Sequence, residues 1–476
     1  MNDLRPYQIA VMDHLSRRNM LLDWEMGLGK TRVVIEHIRS SKTRRTLIAC
    51  PLGVMPVWEA EWRKWGMGEH RIVLLRGSVT KKAHTMQSTI GVAGPRAFVV
   101  NYDSIWRGRL GEEILKHEWD LVVADECHKL KTPSSRVSVF FNKLRRRARH
   151  RIGLSGTPLG QGPLDIYGQA RFIEPETFQR TAAQFRATYA IYGGPSFGGR
   201  PRILQGYQNL QDFRGRYARL AHVIKRDQVM FDLPKVTWQQ VPVELSDATA
   251  RAYEDISEMF VAQVKRGEIT AQNALAKAMR LQQITSGIAA TDDGTYRLSN
   301  EKAVALREIL NDLPADRSVV VFARFIIDLD NIREAAEAEG RQVDELSGRR
   351  DDVRGVWRPE DGSVLAVQYQ SGGVGVDLTA ACYAVFYSAT TSGTDWAQSQ
   401  KRVDRPGQGL PMTFYTLDAL ANEKTTVDQK IAAAHDRRSR LTDAIGYDVS
   451  AEVLGLTNEP PASRLDMHPA HERNMT

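Results

Sequence analysis

The sequence predicts an α/β protein of two tandem parallel-sheet domains with a helical insertion and linker between them, and three observations carry that prediction. Short apolar, β-branched runs recur early, at residues 46 to 50 (TLIAC), 71 to 75 (RIVLL), 97 to 100 (AFVV) and 119 to 124 (WDLVVA), with amphipathic stretches between them. A second series follows at 318 to 322 (SVVVF), 363 to 367 (SVLAV), 383 to 387 (YAVFY) and 412 to 416 (MTFYT). Each alternation is the mark of β-α units around a parallel sheet. The third observation is the length, 476 residues, which suits two or three domains.

The elements divide the chain. Residues 1 to 230 are expected to form the first domain, with a helical insertion from about 165 that contains the Gly-rich bend YGGPSFGGRP at 192 to 201. Residues 231 to 300, with polar helical stretches such as AQNALAKAMRLQQI, read as a linker or helical bridge, and residues 301 to 445 as the second domain. The segment from 446 to 476 ends in a polar, proline-containing stretch expected to be mobile. Trp58, Trp62 and Trp65 share one helical face and are expected to pack that helix on the first sheet.

Composition narrows the function classes. The formal net charge of +8 favours a polyanionic partner, and the excess of arginine over lysine suits bidentate phosphate contacts. Three well-separated cysteines, Cys50, Cys127 and Cys382, suggest neither a disulfide framework nor a structural zinc site. No stretch has signal-peptide character, and no run of about 18 apolar residues occurs. A soluble protein in a reducing setting, cytoplasmic or associated with the nucleoid, is expected.

The stretch LLDWEMGLGKTRVV, residues 21 to 34, has the form of a phosphate-binding loop: a short strand turns through glycines into a helix. Such a turn aims backbone N–H groups and the positive helix end at phosphate. Gly27, Leu28 and Gly29 would cradle the phosphates, Lys30 would reach the β and γ phosphates, and the Thr31 hydroxyl would ligate Mg²⁺. Trp24 stands where the generic pattern has its first glycine, and a Gly-rich turn before a helix would explain a lone GKT equally well.

WDLVVADECHKLK supplies the second requirement of hydrolysis, since an apolar strand ends there in two adjacent carboxylates. Asp125 can hold the Mg²⁺ that bridges phosphates, and Glu126 can orient and polarise the attacking water. His128 would serve as a neutral hydrogen-bonding relay and Cys127 would fill space. The third requirement is positive charge for the γ phosphate. QSQKRVDRPGQ, residues 398 to 408, puts Arg402 and Arg405 on one helical face, although a solvated face would read the same way. The basic run KLRRRARHR (143 to 151) could touch nucleic acid, but a solvated helix face leading into a strand is the plainer reading.

With these residues in place, the chain resembles the Swi/Snf-related ATPases, DNA translocases within helicase superfamily 2. LRPYQIAVMDHL is similar to the family's adenine-recognising Q motif, with Gln8 as reader, and EMGLGKT to motif I. CPLGVMPVWEAEWRKW resembles motif Ia, VVNYDSI motif Ib, DECH the DEAH-type motif II, and LSGTPLGQGPLDIYGQARFIEP motif III and the helix after it. Residues 223 to 256 resemble the family's bridge into the second domain, which generic RNA helicases do not share. VVVFARF is similar to motif IV, QSGGVGVDLTAACYAVFYSATT to motif V and QSQKRVDRPGQ to motif VI, so the likeness runs in order over roughly residues 4 to 435.

The resemblance implies two RecA-like lobes and an ATP- and Mg²⁺-dependent, DNA-dependent ATPase that moves along duplex DNA without separating its strands. It makes Lys30, Asp125, Glu126, Arg402 and Arg405 catalytic and adds Gly375 and Asp377 to the nucleotide contacts. Ser155, Gly156 and Thr157 would link hydrolysis to domain movement, with His128 and Gln398 in support. DNA would be held at its backbone by groups around Pro51, Tyr102, Ser371 and Gly372, without sequence choice. A protein target or recruiting partner is open. The departures are Trp24 for a usual acid, Asn101 for a common threonine, and Asp404 and Pro406 for the usual histidine and isoleucine of motif VI. Trp24 is expected at the lobe cleft or near Gln8 and the adenine. Two other readings remain open, a nucleotide-gated nucleic-acid-binding scaffold without turnover and an RNA helicase.

Overall fold

The computed structural model describes residues 4 to 439, apart from residues 42, 67, 69, 161, 194 to 202, 230 to 235, 266 to 270, 292, 293, 354 to 356, 358, 360, 361, 370 to 375, 406, 407 and 438. The expected C-terminal tail therefore lies outside the described residues. Two α/β lobes follow one another, each built on a seven-stranded sheet. Among the described residues no helix is long and apolar enough to cross a membrane.

The first sheet is parallel throughout. Its strands run in the order Arg71–Leu74, Arg96–Asn101, Arg45–Cys50, Trp119–Asp125, Ala148–Ser155, Met20–Trp24 and Ala221–Ile224. Side chains alternate across a strand, so neighbours in sequence face opposite layers. Leu47, Ala49, Val122 and Ala124 join one apolar layer, whereas Ile48, Cys50, Leu121 and Val123 join the other. That double burial is why these strands read as continuous apolar runs. Helices Pro6–Arg17, Lys30–Ser40 and Met55–Trp65 contribute Val11, Val34, Trp58 and Trp62 to the second layer.

The insertion expected from about residue 165 does hold helices, Ile166–Ile173, Ala182–Tyr189 and Leu210–Leu220, with an antiparallel hairpin, Ala190–Gly193 with Ile203–Tyr207. It then returns to the first sheet as its edge strand, Ala221–Ile224, beside Met20–Trp24. Most of the Gly-rich bend lies outside the described residues.

The linker expected at 231 to 300 is corrected by the second sheet. Val236–Glu244 is a strand of that sheet, in parallel register with Met412–Ala421 along its whole length. It sits at the sheet edge, where Pro242 removes no needed ladder bond, and most of its residues are exposed or half-buried. The order continues through Tyr383–Phe386, Val319–Ala323, Val364–Gln368 and Val343–Leu346, all parallel, and the short Lys424–Thr425 pairs antiparallel with Met412–Ala421. Helices Asp247–Lys265 and Ala271–Thr285 bury Ala250, Tyr253, Leu281 and Ile284 against Ala419, Ala421, Val427 and Ile431. Residues expected to bridge the lobes thus belong to the second one.

Candidate active site

The phosphate-loop segment leaves the end of Met20–Trp24 and enters the helix Lys30–Ser40. The turn requires left-handed backbone at Gly27 (φ 83°) and Gly29 (φ 76°), which glycine adopts without strain. Space requires glycine as well, since a Cβ on Gly29 would come within 2.5 Å of Gln8 Nε2. The helix Pro6–Arg17 pins the loop, because Tyr7 Oη and Gln8 Nε2 both donate to the Leu28 carbonyl, at 3.1 and 3.0 Å. Gln8 Oε1 accepts from the Arg5 amide at 2.9 Å, so both ends of the expected adenine reader are engaged by the chain itself.

Lys30 Nζ folds back to donate to the Trp24 and Glu25 carbonyls at 2.7 and 3.2 Å. Burial pushes its pKa down, against the pull of Glu126, Asp125, Asp23 and Glu25. Thr31 is half-buried in the first turn of the helix. The Trp24 side chain turns into the core of the first lobe, beside Tyr7, the neighbour of Gln8. It is fully buried, donates from Nε1 to His222 Nδ1 at 2.9 Å and meets Tyr7 edge-on at 5.4 Å.

Asp125 and Glu126 end the central strand Trp119–Asp125. Asp125 Oδ1 accepts from the Glu126 amide at 3.0 Å and Oδ2 from Trp58 Nε1 at 2.8 Å, while its carbonyl accepts from Tyr102 Oη at 2.7 Å. Burial, reinforced by Glu126, pushes the Asp125 carboxyl above the usual range. Burial acts on Glu126 in the same sense, but His128, Lys30 and Arg402 together hold it below its usual value. Glu126 also has a left-handed backbone (φ 52°), a strained state for a non-glycine residue. Its Oε2 is 3.1 Å from His128 Nδ1 without the alignment of a hydrogen bond. His128 Nδ1 lies 3.4 Å from Ser155 Oγ, which accepts from the Thr157 amide at 3.1 Å. Glu126 and the Ser155 to Thr157 turn thus meet at one nitrogen of His128. That turn packs so closely on the loop that a Cβ on Gly156 would meet the Trp24 carbonyl oxygen at 3.3 Å.

The second lobe brings the helix Gly393–Val403, whose N-cap Ser392 accepts from the Asp395 amide. Arg402 is buried, its Nε has no hydrogen-bond partner, and burial lowers its pKa to about 10 although Glu126 across the cleft opposes the shift. Gln398 borders the same small void as Arg402. Arg405 stands 3.9 Å from Asp377, whose Oδ1 accepts from the Thr379 amide and hydroxyl at 3.0 and 2.8 Å. The structure thus gathers Lys30, Asp125, Glu126 and Arg402 about one cleft. Gly375, Ser371 and Gly372 lie outside the described residues.

Tyr102 is buried with its hydroxyl turned inward to Asp125, so its side chain does not offer the surface contact expected of it; Pro51 is half-buried beside an exposed Leu52. In the basic run, Arg146, Arg147 and Arg149 are exposed while Arg151 donates to the carbonyls of Ile173, Arg145 and Ala148. The solvated face leading into a strand is what the chain adopts.

Sequence reasoning missed the bonds between the lobes. Arg226 Nε donates to Glu25 Oε2 at 3.1 Å, while Nη1 and Nη2 donate to the Asp404 carbonyl and carboxylate. Lys401 Nζ lies 3.3 Å from Asp404 and 3.6 Å from Glu25. Asp404, noted as a departure from the family pattern, was the one available signal. Beside this cluster a cavity of about 550 Å³ opens between the lobes, lined by Met26, Thr157, Trp238 and Trp396 among others.

The residues fit a magnesium nucleotide. Buried Glu126 Oε2, Thr157 Oγ1 and Arg402 Nε lack hydrogen bonds, which is costly unless a ligand completes them. Among the described residues no cluster of three or more His, Cys, Asp or Glu could hold a metal alone. Magnesium would therefore be shared between Asp125, Thr31 and nucleotide phosphates, the usual arrangement for an ion that keeps few protein ligands.

The family model described as the SNF2-related domain matches residues 7–288. An ATP-dependent helicase of Mycoplasma genitalium is 23% identical over 464 residues, covering 92% of this chain and 42% of the relative. The chromodomain-helicase-DNA-binding protein 1-like of Danio rerio is 24% identical over 472 residues, 93% of this chain and 44% of its own. The chain thus spans less than half the length of these two curated relatives. Among solved structures, the Sulfolobus solfataricus SWI2/SNF2 ATPase core in complex with dsDNA aligns over 95% of both chains, at 19% identity and a TM-score of 0.42.

Proposed function

The chain belongs to the SNF2-related family, and from that premise we propose that it is a DNA-dependent ATPase that moves along duplex DNA without separating its strands. The observation that carries this reading is the meeting, across one cleft, of Lys30 and the Asp125–Glu126 pair from the first lobe with a buried Arg402 from the second whose Nε is unpaired. Lys30 would exchange the carbonyls of Trp24 and Glu25 for phosphate oxygens, and Glu126 would orient the attacking water. Bound magnesium would neutralise charge on the phosphates. Arg402 would stabilise the charge that develops during transfer, with Arg405 beside it. His128, whose Nδ1 lies beside both Glu126 and Ser155, would sense the state of the carboxylate next to the turn that leads to the second lobe, where a Cβ on Gly160 would strike Thr394 Oγ1.

Backbone contact without base reading supports grip on any sequence and a steep loss of binding with salt. The test is ATP turnover with no nucleic acid, single-stranded DNA, duplex DNA and RNA, beside Lys30→Ala and Glu126→Gln. Stimulation by duplex DNA, lost in both variants, is the expected result; a rate indifferent to duplex DNA would sink the reading. Displacement of a triplex-forming strand then separates movement from hydrolysis alone.

A further inference from the structure

We propose that Trp58 is a positioning residue: its indole N–H sets the Asp125 carboxylate for magnesium and couples that carboxylate to the surface turn that begins at Pro51. Asp125 is held by two donors, the Glu126 amide on Oδ1 at 3.0 Å and Trp58 Nε1 on Oδ2 at 2.8 Å. One donor on each oxygen fixes the carboxylate plane and leaves acceptor capacity on both for a cation. Trp58 has no exposed surface, so the indole reaches Asp125 from inside the core.

The fold gives this bond an outward lever. Trp58 lies in the first turns of the helix Met55–Trp65, which continues the short turn Leu52–Val54 after Pro51. Leu52 on that turn is 62% exposed. Strands Arg96–Asn101, Arg45–Cys50 and Trp119–Asp125 are consecutive and parallel, with Cys50 opposite Asn101 and Ala49 opposite Ala124. Their C-terminal ends therefore align, and the turns after two of them converge on the residue that ends the third: Trp58 holds the Asp125 carboxylate and Tyr102 its carbonyl. A ligand that shifts the turn at Pro51 moves the base of this helix, and the indole transmits the shift to the metal-binding oxygen. A buried indole N–H needs some acceptor in any case, so the experiment must separate positioning from packing.

Trp58→Phe keeps an aromatic ring and removes the donor; Trp62→Phe, one turn on and also buried, is the packing control. Mn²⁺ binding in the presence of ADP, read by electron paramagnetic resonance, is followed with thermal unfolding of the same samples. Loss of a hydrogen-bond donor to a metal-ligating side chain typically weakens the site by about tenfold or more. The expected result is weakening of that order in Trp58→Phe and wild-type affinity in Trp62→Phe. Equal Mn²⁺ affinity in wild type and a folded Trp58→Phe, or equal weakening in both variants, overturns the proposal. If Trp58→Phe does not fold, β-(3-benzothienyl)alanine at position 58, which exchanges only the N–H for sulfur, gives the same reading. The coupling half rests on the DNA-stimulated turnover proposed above: the ratio of turnover with and without duplex DNA should fall toward one in Trp58→Phe, and an unchanged ratio overturns it. Absence of stimulation in wild type would strike the functional reading alone, since the Mn²⁺ measurement contains no DNA.

Discussion

The two lobes meet at the cleft in different states of readiness. In the first, Lys30 rests on two loop carbonyls, and each oxygen of Asp125 has its own donor. In the second, Arg402 is buried with Nε unpaired, and Arg405 stands 3.9 Å from Asp377. A buried guanidinium without full pairing raises the energy of the state that holds it. The difference teaches where the energy of closure resides: Lys30 and Asp125 are held before ligand arrives, Glu126 Oε2 and Thr157 Oγ1 beside them are left open, and buried Arg402 gains when an anion enters. Arg226 meanwhile tethers the lobes through Asp404 and Glu25, so the second lobe is kept near the cleft without its arginines being satisfied.

The largest effect should come from removing the waiting group. Arg402→Ala is expected to slow ATP turnover about a thousandfold or more, as loss of a finger arginine does, while nucleotide binding to the first lobe changes little. Single-turnover rates beside equilibrium binding of a fluorescent nucleotide make the distinction. If binding falls as steeply as turnover, the asymmetry drawn here between the lobes is wrong.

Proton linkage sharpens the same contrast, because the lobes carry buried groups shifted in opposite senses. Burial, aided by His14 and Arg18, lowers His222 in the first lobe to about 4. The unfolded state then binds more protons at His222 between that value and the ordinary 6.5, so this contribution to first-lobe stability is full above about 6.5 and is lost as pH falls toward 4. In the second lobe burial raises Asp328 to about 7, despite its bond from Ser388 and the pull of Lys302. Here the folded state binds more protons between 3.8 and 7, so this contribution favours folding below about 4 and is lost as pH rises to 7. The shifts correspond to about 3 kcal/mol for His222 and about 4 kcal/mol for Asp328. Hydrogen exchange from pH 4.5 to 6.5, corrected for intrinsic rates, should show protection in Met20–Trp24 rising with pH while that in Val319–Ala323 falls. Parallel slopes would remove the distinction.

Legibility in the sequence followed locality. The phosphate loop and the carboxylate pair are contiguous, and their chemistry could be read from spacing alone. Arg402 and Arg405 gained a role only from the family resemblance, since two arginines on a helix are equally a solvated face. The bonds that organise the site escaped: Trp58 lies 67 residues from Asp125 and Arg226 lies 178 from Asp404. The tryptophan stripe was read as packing, which Trp58 and Trp62 do provide, yet nothing in a helical period marks which indole finds an acceptor. Val236–Glu244 reads as linker because an edge strand that is mostly exposed or half-buried carries no continuous apolar run. The resemblance puts nucleic-acid contacts around Tyr102, whereas the hydroxyl of that residue serves the strand end beside it.

The smallest effect concerns Trp24, where the family usually has an acid. Its backbone and side chain belong to different halves of the site: the carbonyl receives Lys30, while the indole is buried away from the cleft, bonded to His222 and edge-on to Tyr7. Because the carbonyl survives substitution, Trp24→Phe should leave nucleotide affinity at the wild-type value. It should nevertheless strand the His222 Nδ1 acceptor, and a buried group without its partner costs about 1 to 3 kcal/mol. An unpaired His222 nitrogen also protonates more easily in the folded state, so its pKa moves back toward 6.5 and the first lobe's loss of stability below pH 6.5 becomes shallower. Denaturant unfolding at pH 7.5 and pH 5.5 beside nucleotide titration separates these effects. A weaker nucleotide affinity with unchanged stability would put the indole in the cleft after all, and would erase the line between a loop built by its backbone and a core built by its side chains.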